Sequence, residues 1–532
     1  LWADQLVLTG NTADRGGHLL MTEGAQAELI DCWIEQGIAT RGAAVFMLDG
    51  AGGSGDLVLS DCTVEANASV SDGGALYLES SASLVSSRCQ YTQNQPEQGD
   101  GGAIYLGWAS SMSSTDDVFT DNGSADPSGT WGGAIALGSY AQAQVDGGIF
   151  SGNTAGTGGA ISASYDNDLV LSECSFSDQL AEQGAAVAIE DGGSLVDQGS
   201  SYVSNLASAA GGAVWARDSV VVELTDLTVS QNEADDGDGG ALWFSEIESL
   251  SLHSSDFEDN RASLSGGAIW IETALDPIEL TDLRFTGNQA ESGSGGAVLA
   301  EDLSVALESI QLSENLAGSD GGAIWATSVA EWSMHDSIFE SNQTGEKGAG
   351  GALWLSFVET LTVSDSLFCD NRASQGGAVS AFYMHGSESW TGNTFQENLS
   401  EGDGGALHIT YSPDHTAQNN TFVGNRADGS GGTIWAAGLT TDFVNNIVGY
   451  TQAGDGLYLD DSASDSDSSI RYSNWIDNLS TDASGSSTLD TSMDGHLSVD
   501  PGFSDYSLDG DCNNDVFTLL TDSALIDAGD PT

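Results

Sequence analysis

The chain of 532 residues is strongly acidic, with 80 Asp and Glu against 10 Lys and Arg and a formal net charge of −70. Proteins that bind nucleic acid or dock on anionic membranes place Lys and Arg against phosphate groups, so this composition excludes both partners. Six Cys residues are too few for a disulfide scaffold, whereas 39% hydrophobic residues can supply a core. A soluble, acidic and Lys-poor chain fits an extracellular setting, and we expect a secreted or cell-surface protein.

A pair of glycines recurs along most of the chain at a spacing of about 28 residues, a repeat length typical of solenoid proteins. In most copies Ala and then Ile, Leu or Val follow the pair. The pairs begin at Gly16, Gly73, Gly101, Gly132, Gly158, Gly211, Gly239, Gly266, Gly295, Gly321, Gly350, Gly376, Gly404 and Gly431. Ahead of the pairs, a second motif has the form Phe-x-x-Asn, as in Phe119–Asn122, Phe257–Asn260, Phe339–Asn342 and Phe395–Asn398.

Apolar residues within one repeat alternate with polar residues, and a period of two indicates β-strands. Residues 239–260 illustrate three such strands, separated by turns rich in Gly, Asn, Asp and Ser. One unit cannot bury its own apolar side chains, whereas stacked units form a continuous core. We therefore predict an all-β fold, a right-handed parallel β-helix solenoid of about 16 coils with roughly 28 residues and three short strands per coil. The Phe residues should stack inside, the Asn residues should form a ladder at one turn, and the glycines should allow positive φ or close backbone approach at another.

The combination of Gly-Gly-Ala-(Ile/Leu/Val) with Phe-x-x-Asn resembles the repeats of the chlamydial polymorphic outer-membrane proteins and related bacterial β-helix surface proteins. The resemblance covers roughly residues 1–435. Near the end of the chain, Val499–Phe503 followed by Ser523–Pro531 looks like the closing segment of many secreted bacterial β-helix proteins. The resemblance implies surface display or secretion, and often adhesion.

The repeat pattern divides the chain into two regions. Residues 1–453 are predicted to form the β-helix repeats, and residues 454–532 to form irregular final coils and a C-terminal cap. Leu6–Asn11 already carry the coil pattern. We therefore expect upstream sequence or another subunit to cover the strand edges at that end; the alternative is a trimmed chain with a frayed edge.

An aromatic residue follows the aliphatic residue after Gly-Gly-Ala in many repeats. If the aliphatic side chain points into the core, strand alternation places the aromatic side chain outside. The outward aromatic residues predicted in this way are Tyr77, Tyr105, Trp215, Trp243, Trp270, Trp325, Trp354 and Trp435. Exposed apolar patches mark interfaces, so this column should bind a glycan or pack against protein; the alternative is that long turns fold over it and bury it.

Two acidic turns place oxygen ligands at alternating positions, as calcium loops do. Asp509, Asp511, Asn513 and Asp515 form the better calcium candidate, although the distal Glu of an EF-hand is missing. Residues 235–238 are interpreted as a solvated acidic turn. Calcium is the one cofactor that the sequence indicates.

Four of the cysteines share one register of the repeat. Cys32, Cys62 and Cys89 occur in three consecutive coils, and Cys174 occupies the same column further along. Strand alternation places them inside, either as a buried column of thiols or with one pair bridged. Cys369 and Cys512 have no obvious partners.

Signals for catalysis are weak. His385, His408 and His415 occur in neighbouring coils but lack the His-x-x-x-His spacing of a metal site, and we expect them at the surface. A catalytic groove normally interrupts a repeat locally, and this repeat is uniform. We therefore predict that the chain is not an enzyme.

Taken together, these features predict a non-enzymatic, extracellular rigid rod that acts as a cell-surface adhesin or as a structural fibre or surface-layer protein. The alternative is a polysaccharide-binding or polysaccharide-degrading β-helix protein that uses the outward aromatic column. The expected partners are other protein subunits, a surface receptor or a glycan, and the rod can self-associate end to end or laterally.

Overall fold

The computed structural model describes residues 1–22, 24–48, 55–124, 126–438, 441–460, 469–478, 483–485, 495–507, 512–526 and 529. These residues form short strands that pair in parallel with the equivalent strands of the coils before and after, and they contain no α-helix, so none that could cross a bilayer. Two compact units are present, residues 1–263 with 273–276 and residues 264–272 with 277–532. Each unit is by itself a stack of β-coils, which confirms the parallel β-solenoid; equivalent residues of successive coils, such as Asn315 and Asn342, are 27 positions apart.

Each full coil contains three strands, and most coils add a fourth that is usually two residues long. The first strands, which follow the glycine pairs, are Leu19–Thr22, Val45–Leu48, Leu76–Leu78, Ile104–Leu106, Ile135–Leu137, Ile161–Ser164, Val187–Glu190, Val214–Arg217, Leu242–Ile247, Ile269–Ala274, Val298–Glu301, Ile324–Thr327, Leu353–Ser356, Val379–Phe382, Leu407–Thr410, Ile434–Ala437, Leu457–Asp460 and Ala483–Gly485. The second strands are Trp2–Asp4, Gln26–Ile30, Asp56–Ser60, Ser83–Ser87, Ser111–Thr115, Gln142–Asp146, Asn167–Ser172, Gly193–Gln198, Val221–Thr225, Ser249–His253, Ile278–Thr281, Val305–Glu308, Glu331–His335, Thr360–Ser364, Ser387–Thr391, Asp414–Gln418, Thr441–Val444 and Ser469–Arg471.

The third and fourth strands complete the coil. The third strands, which carry the Phe column, are Val7–Thr9, Trp33–Glu35, Thr63–Glu65, Gln90–Thr92, Val118–Thr120, Ile149–Ser151, Ser175–Ser177, Ser201–Val203, Thr228–Ser230, Asp256–Glu258, Arg284–Thr286, Gln311–Ser313, Ile338–Glu340, Leu367–Cys369, Thr394–Gln396, Thr421–Val423, Ile447–Gly449 and Asn474–Ile476. The fourth strands are Ile38–Ala39, Ala68–Ser69, Gln95–Pro96, Leu180–Gln183, Leu206–Ala210, Glu233–Ala234, Arg261–Ala262, Gln289–Ala290, Leu316–Ala317, Gln343–Thr344, Arg372–Ala373, Leu399–Ser400 and Arg426–Ala427.

The glycine pair is required by the corner that it forms. Gly321 has φ +65°, in the left-handed region that glycine adopts without steric cost. A Cβ atom on Gly322 would lie 2.0 Å from the carbonyl oxygen of Gly351 in the next coil. The positive φ angle therefore explains why glycine recurs at the first position of the pair. The close approach of the neighbouring coil explains why it recurs at the second.

The aromatic residues of the third strands stack in the core, as predicted. Phe339, Phe368, Phe395 and Phe422 follow one another with ring centroids 4.7–4.9 Å apart and nearly parallel planes. The Phe119–Phe150–Phe176 stack of the first unit has the same spacing and is extended by a Tyr at each end. This spacing equals the separation of paired strands, so a residue at one position of the coil automatically packs on its counterpart.

The predicted asparagine ladder is confirmed in both units. Asn371 illustrates it: its side-chain oxygen accepts hydrogen bonds from the backbone N–H and the side-chain amide of Asn342, both at 3.0 Å. Its own amide donates to the carbonyl oxygen of Phe339 at 2.9 Å and to Asn398 at 3.0 Å. The ladder thereby satisfies backbone groups that the turn removes from the strand pairing.

A second polar column, which sequence reasoning missed, lines the turn between the second and third strands. Asn393 and Asn420 each accept a hydrogen bond from a backbone N–H of the preceding coil, at 3.0 Å and 2.9 Å.

The buried column of cysteines occupies this same turn, between the second and third strands, and Cys32, Cys62, Cys89 and Cys174 are free thiols. Burial raises the pKa of Cys174 to about 11, so this thiol stays protonated and inert at neutral pH.

The expectation that Cys369 and Cys512 lack partners is wrong, because the two residues form a disulfide across 143 positions of sequence. Phe503–Asp505 and Val516–Leu519 pair as an antiparallel hairpin beside this bridge. The side chain of Gln396 donates to Asp515, and the rings of Tyr450 and Tyr506 are 5.4 Å apart. This hairpin therefore lies against the side of the second unit's coils. The predicted boundary at residue 453 between the β-helix repeats and the C-terminal cap stays a prediction.

Replacing Asn371 by Ala should lower the free energy of unfolding by about 3 kcal/mol, because several buried backbone and amide groups lose their partners. Asn371→Gln is the matched control, since Gln179 occupies the equivalent position in a coil of the first unit and its side-chain oxygen accepts from the backbone N–H of Asn153 at 3.0 Å. The control should lose less than half as much. Chemical denaturation followed by circular dichroism measures both, and equal losses would contradict the role of the ladder.

Candidate functional site: the outward aromatic column

The residues predicted to point outward occupy one position of the first strands, between two core residues. Tyr77 and Trp215 are buried, at 7% and 2% exposure, and the other six are half-buried. The structure also places Phe46 and His408 in this column, paired with Tyr77 and Trp435 respectively. Sequence reasoning missed these two because no complete Gly-Gly-Ala motif precedes Phe46 and because His408 stands where other coils have Trp.

The aromatic rings of the column lie face to face. Phe46, Tyr77 and Tyr105 stack at 5.0 Å, Trp325 and Trp354 at 5.0 Å, and the rings of successive members are within 12° of parallel. Trp215 and Trp243 are 5.5 Å apart, and His408 and Trp435 are 4.4 Å apart. The strand spacing forces this arrangement, and each ring covers the face of the next.

This geometry decides what the column can contact. A sugar ring stacks on the flat face of an aromatic side chain, and within these stacks the faces are already covered by neighbouring rings. The edges of the half-buried rings remain accessible, and edges can pack against a protein surface. The geometry thus disfavours stacking of a glycan on the column and favours contact with a protein. A binding role for the column stays a prediction.

Arginine side chains cover several of the rings. Arg15 lies over Phe46, Arg41 over Tyr77 and Arg217 over Trp215, with guanidinium carbons 4.9–5.2 Å from the ring centroids. Such cation–π contacts contribute about 0.5–1 kcal/mol each at partly exposed sites. Burial, with the neighbouring negative charges, raises the pKa of Tyr105 to about 12. The Tyr105 hydroxyl therefore stays protonated at neutral pH.

The calcium candidate lies largely outside the described residues, which omit Asp509, Asp511 and the side chain of Asn513. Asp515 accepts hydrogen bonds from Gln396 and from the backbone N–H of Ser507. Within the part of the chain that the structure describes, no group of three or more His, Cys, Asp or Glu side chains is arranged to hold a metal ion. The turn at 235–238 exposes Asp235 and Asp236 to solvent.

A second aromatic stack, not predicted from the sequence, projects from the turn between the first and second strands. We call Phe357, Tyr383 and Tyr411 the turn stack; their rings are 5.7 Å and 4.9 Å apart and nearly parallel. Their side chains are 44%, 48% and 53% exposed, more than any of the eight predicted residues. The equivalent turn position holds Asp302 and Ser328 in other coils. The change to large aromatic residues at this position was the signal in the sequence that could have revealed the stack.

Behind the turn stack lies a buried ionisable cluster. Glu388 is fully buried and accepts hydrogen bonds from the indole of Trp390 at 2.7 Å and the hydroxyl of Ser412 at 2.6 Å. The imidazole of His415 lies 3.3 Å from the same carboxylate. Burial alone would raise the pKa of Glu388, but attraction to His415 and the hydrogen bonds lower it overall. Ser412 donates to the carboxylate rather than to the imidazole, which is not the geometry of a serine nucleophile and its base.

The expectation that the three histidines lie at the surface is wrong for two of them. His415 points into the core in a column that holds Glu388 one coil earlier and Leu361 two coils earlier, and His408 is buried in the outward column. Burial lowers the pKa of His408 to about 4, so its imidazole is neutral at physiological pH. His385 is exposed and lies edge-on to Phe357, at 5.4 Å.

Comparison with known proteins finds similarity to one family of repeats. Residues 282–301 match the Chlamydia polymorphic membrane protein repeat. The chain is also similar to the probable outer membrane protein pmp6 of Chlamydia pneumoniae, with 35% identity over 158 residues, covering 25% of this chain and 12% of that protein. No solved structure matches the chain. The resemblance to chlamydial repeats seen in the sequence is thus confirmed. The similarity covers only a small part of the pmp6 protein.

The matched segment contains the side chains that build a coil. Phe285 is buried in the third strand and Asn288 hydrogen-bonds to Asn315 in the ladder. Gly295 has φ +68°, and a Cβ atom on Gly296 would lie 2.0 Å from the next coil. The motif that identifies the repeat therefore encodes the fold.

Replacing His415 by Leu should destabilise the second unit by about 3–5 kcal/mol, because the buried carboxylate of Glu388 loses the imidazole that lies 3.3 Å from it. The control is the double variant Glu388→Leu/His415→Leu, which restores the apolar column and should be the more stable of the two. Denaturation midpoints at pH 7 measure both.

Since the folded protein lowers the pKa of Glu388, the carboxylate adds stability above its ordinary pKa and loses it on acidification. The gap between wild type and Glu388→Gln should therefore close below about pH 4.

Polysaccharides should produce no saturable change in tryptophan fluorescence, because the ring faces within the column's stacks are covered. Neutral and acidic polysaccharides would be titrated into the wild type and the Trp325→Ala and Trp354→Ala variants. A saturable change in the wild type that either variant abolishes would restore the glycan interpretation.

Proposed function

We propose that this chain is a non-enzymatic β-solenoid displayed on a bacterial cell surface, where it acts as an adhesin through protein contacts. The observation that carries the proposal is the similarity of its repeats to an outer membrane protein, over 158 residues at 35% identity. Surface location and adhesion are thus properties that we transfer to this chain as a proposal.

The architecture supports a role in contact rather than in chemistry. The repeat motifs serve the corner, the core and the ladder, and the ionisable cluster around Glu388 is enclosed in the core. Most of the exposed aromatic side chains occur at turns, where they can reach a partner; Trp2 and Trp33 lie in strands. A non-enzymatic scaffold with contacts on its turns accounts for these features.

The surface charge favours a partner that is not acidic. With a net charge of −70, copies of this chain repel one another at low ionic strength, which opposes the fibre and surface-layer alternative. An adhesin that meets a neutral or basic surface does not face this repulsion.

Two measurements test the proposal. Antibodies against the purified chain should label intact cells of the producing organism, and protease added outside should remove the label. Beads coated with the chain should adhere to cultured animal cells more than beads coated with a protein of equal size and negative charge, and soluble chain should compete. Labelling that requires permeabilised cells would contradict surface display, and equal adhesion of both bead types would contradict the adhesin role.

A further inference from the structure

The turn stack is held in a conformation that its residue types disfavour. Phe357, Tyr383 and Tyr411 have φ of 52°, 52° and 55°, in the left-handed region. A residue with a Cβ atom loses roughly 1–2 kcal/mol there, and bulky residues are rare. Ser328 occupies the equivalent position one coil earlier with φ 55°, so the turn itself does not require an aromatic residue. Three exposed aromatic side chains in succession therefore need a reason other than folding.

The base of the turn stack is fixed by the core. Each aromatic residue is followed by a buried one, Val358, Met384 and Ser412 in turn. The hydroxyl of Ser412 is bonded to the buried carboxylate of Glu388. The rings are thus positioned before any partner arrives, which reduces the entropic cost of binding.

The surroundings of the turn stack are acidic. Glu359 and Asp414 follow Phe357 and Tyr411 within three residues and are exposed, and Glu331 pairs with Thr360 at the start of the neighbouring strand. His385 is the one basic side chain in the turns 328–331, 357–360, 383–387 and 411–414. A second copy of this acidic chain would be repelled, whereas Lys and Arg side chains would be attracted.

The shape of the turn stack selects a protein over a sugar. Tyr383 has both faces covered by Phe357 and Tyr411, so ring edges form a ridge rather than a stacking platform. The small, exposed Ser328 occupies the equivalent turn position one coil earlier, so it has no ring to stack on the outer face of Phe357. A guanidinium can stack on this face while pairing with Glu331 or Glu359. Tyr and Arg are also the residues that most often dominate protein interfaces.

We propose that the turn stack, with Glu331, Glu359 and Asp414, is a docking surface for an Arg- and Lys-bearing segment of a partner protein. The aliphatic stems of the basic side chains lie along the ridge of ring edges, and their charged ends pair with the carboxylates. This inference deepens the proposed adhesin role by naming the class of partner, but its test requires only purified components.

The test measures binding of a fluorescent twelve-residue peptide of alternating Arg and Gly, by anisotropy, at about 0.15 M salt so that diffuse attraction is screened. Tyr383→Ser/Tyr411→Ser should weaken binding at least tenfold, and Glu359→Gln about threefold. The control is Tyr140→Ser, a Tyr that is 54% exposed with φ 60° at a turn of the first unit, and it should leave affinity unchanged. Unchanged thermal unfolding would show that the serine variants are folded.

Four outcomes would overturn the proposal. Equal binding by all variants would mean general attraction to an acidic surface, and equal binding of a Ser-Gly peptide would mean that charge plays no part. Absence of binding would also refute it, as would a neutral oligosaccharide that binds only when both tyrosines are present. Failure of the bead adhesion experiment with intact peptide binding would refute the adhesin role and leave the docking surface standing.

Discussion

Registered pairing between successive coils governs this structure. Within the coils, strands pair with the equivalent strands of the neighbouring coils, so each position of the coil faces its own counterpart at strand spacing. Buried polar side chains continue the pairing through the turns, as Asn371 does between Asn342 and Asn398. A coil that slipped by one residue would invert its strands and break both ladders, so the register is strongly specified.

This constraint also decides what can occur on the surface. Aromatic residues at one outward position must stack on each other at about 5 Å, whatever their function. Trp325 and Trp354 therefore cover each other's faces, and an outward aromatic column that looks like a sugar platform in the sequence becomes a ridge of edges. Recognition then depends on the turns, where the chain departs from the repeat.

The repeat similarity has a related consequence. Phe285, Asn288 and the pair Gly295–Gly296 are used for packing, hydrogen bonding and a tight corner. A match to this motif reports the architecture, and the differences between chains with this architecture must lie in residues outside the motif. In this chain those residues include the turn stack, the Glu388–His415 pair and the hairpin tied down by the Cys369–Cys512 disulfide.

The sequence by itself determined the repeating architecture, because the period of the Gly-Gly-Ala and Phe-x-x-Asn motifs is local information that every coil restates. The stacked Phe column, the Asn ladder and the glycine corner followed from that period and from strand alternation. The pairing of Cys369 with Cys512 did not, because it depends on where a non-repeating segment returns to the coils. The burial of His415 beside Glu388 was likewise decided by the tertiary structure, since it depends on which residues of the adjacent coil lie beside it. A single unrepeated residue leaves no periodic signal, and only its neighbours in space reveal what it contacts.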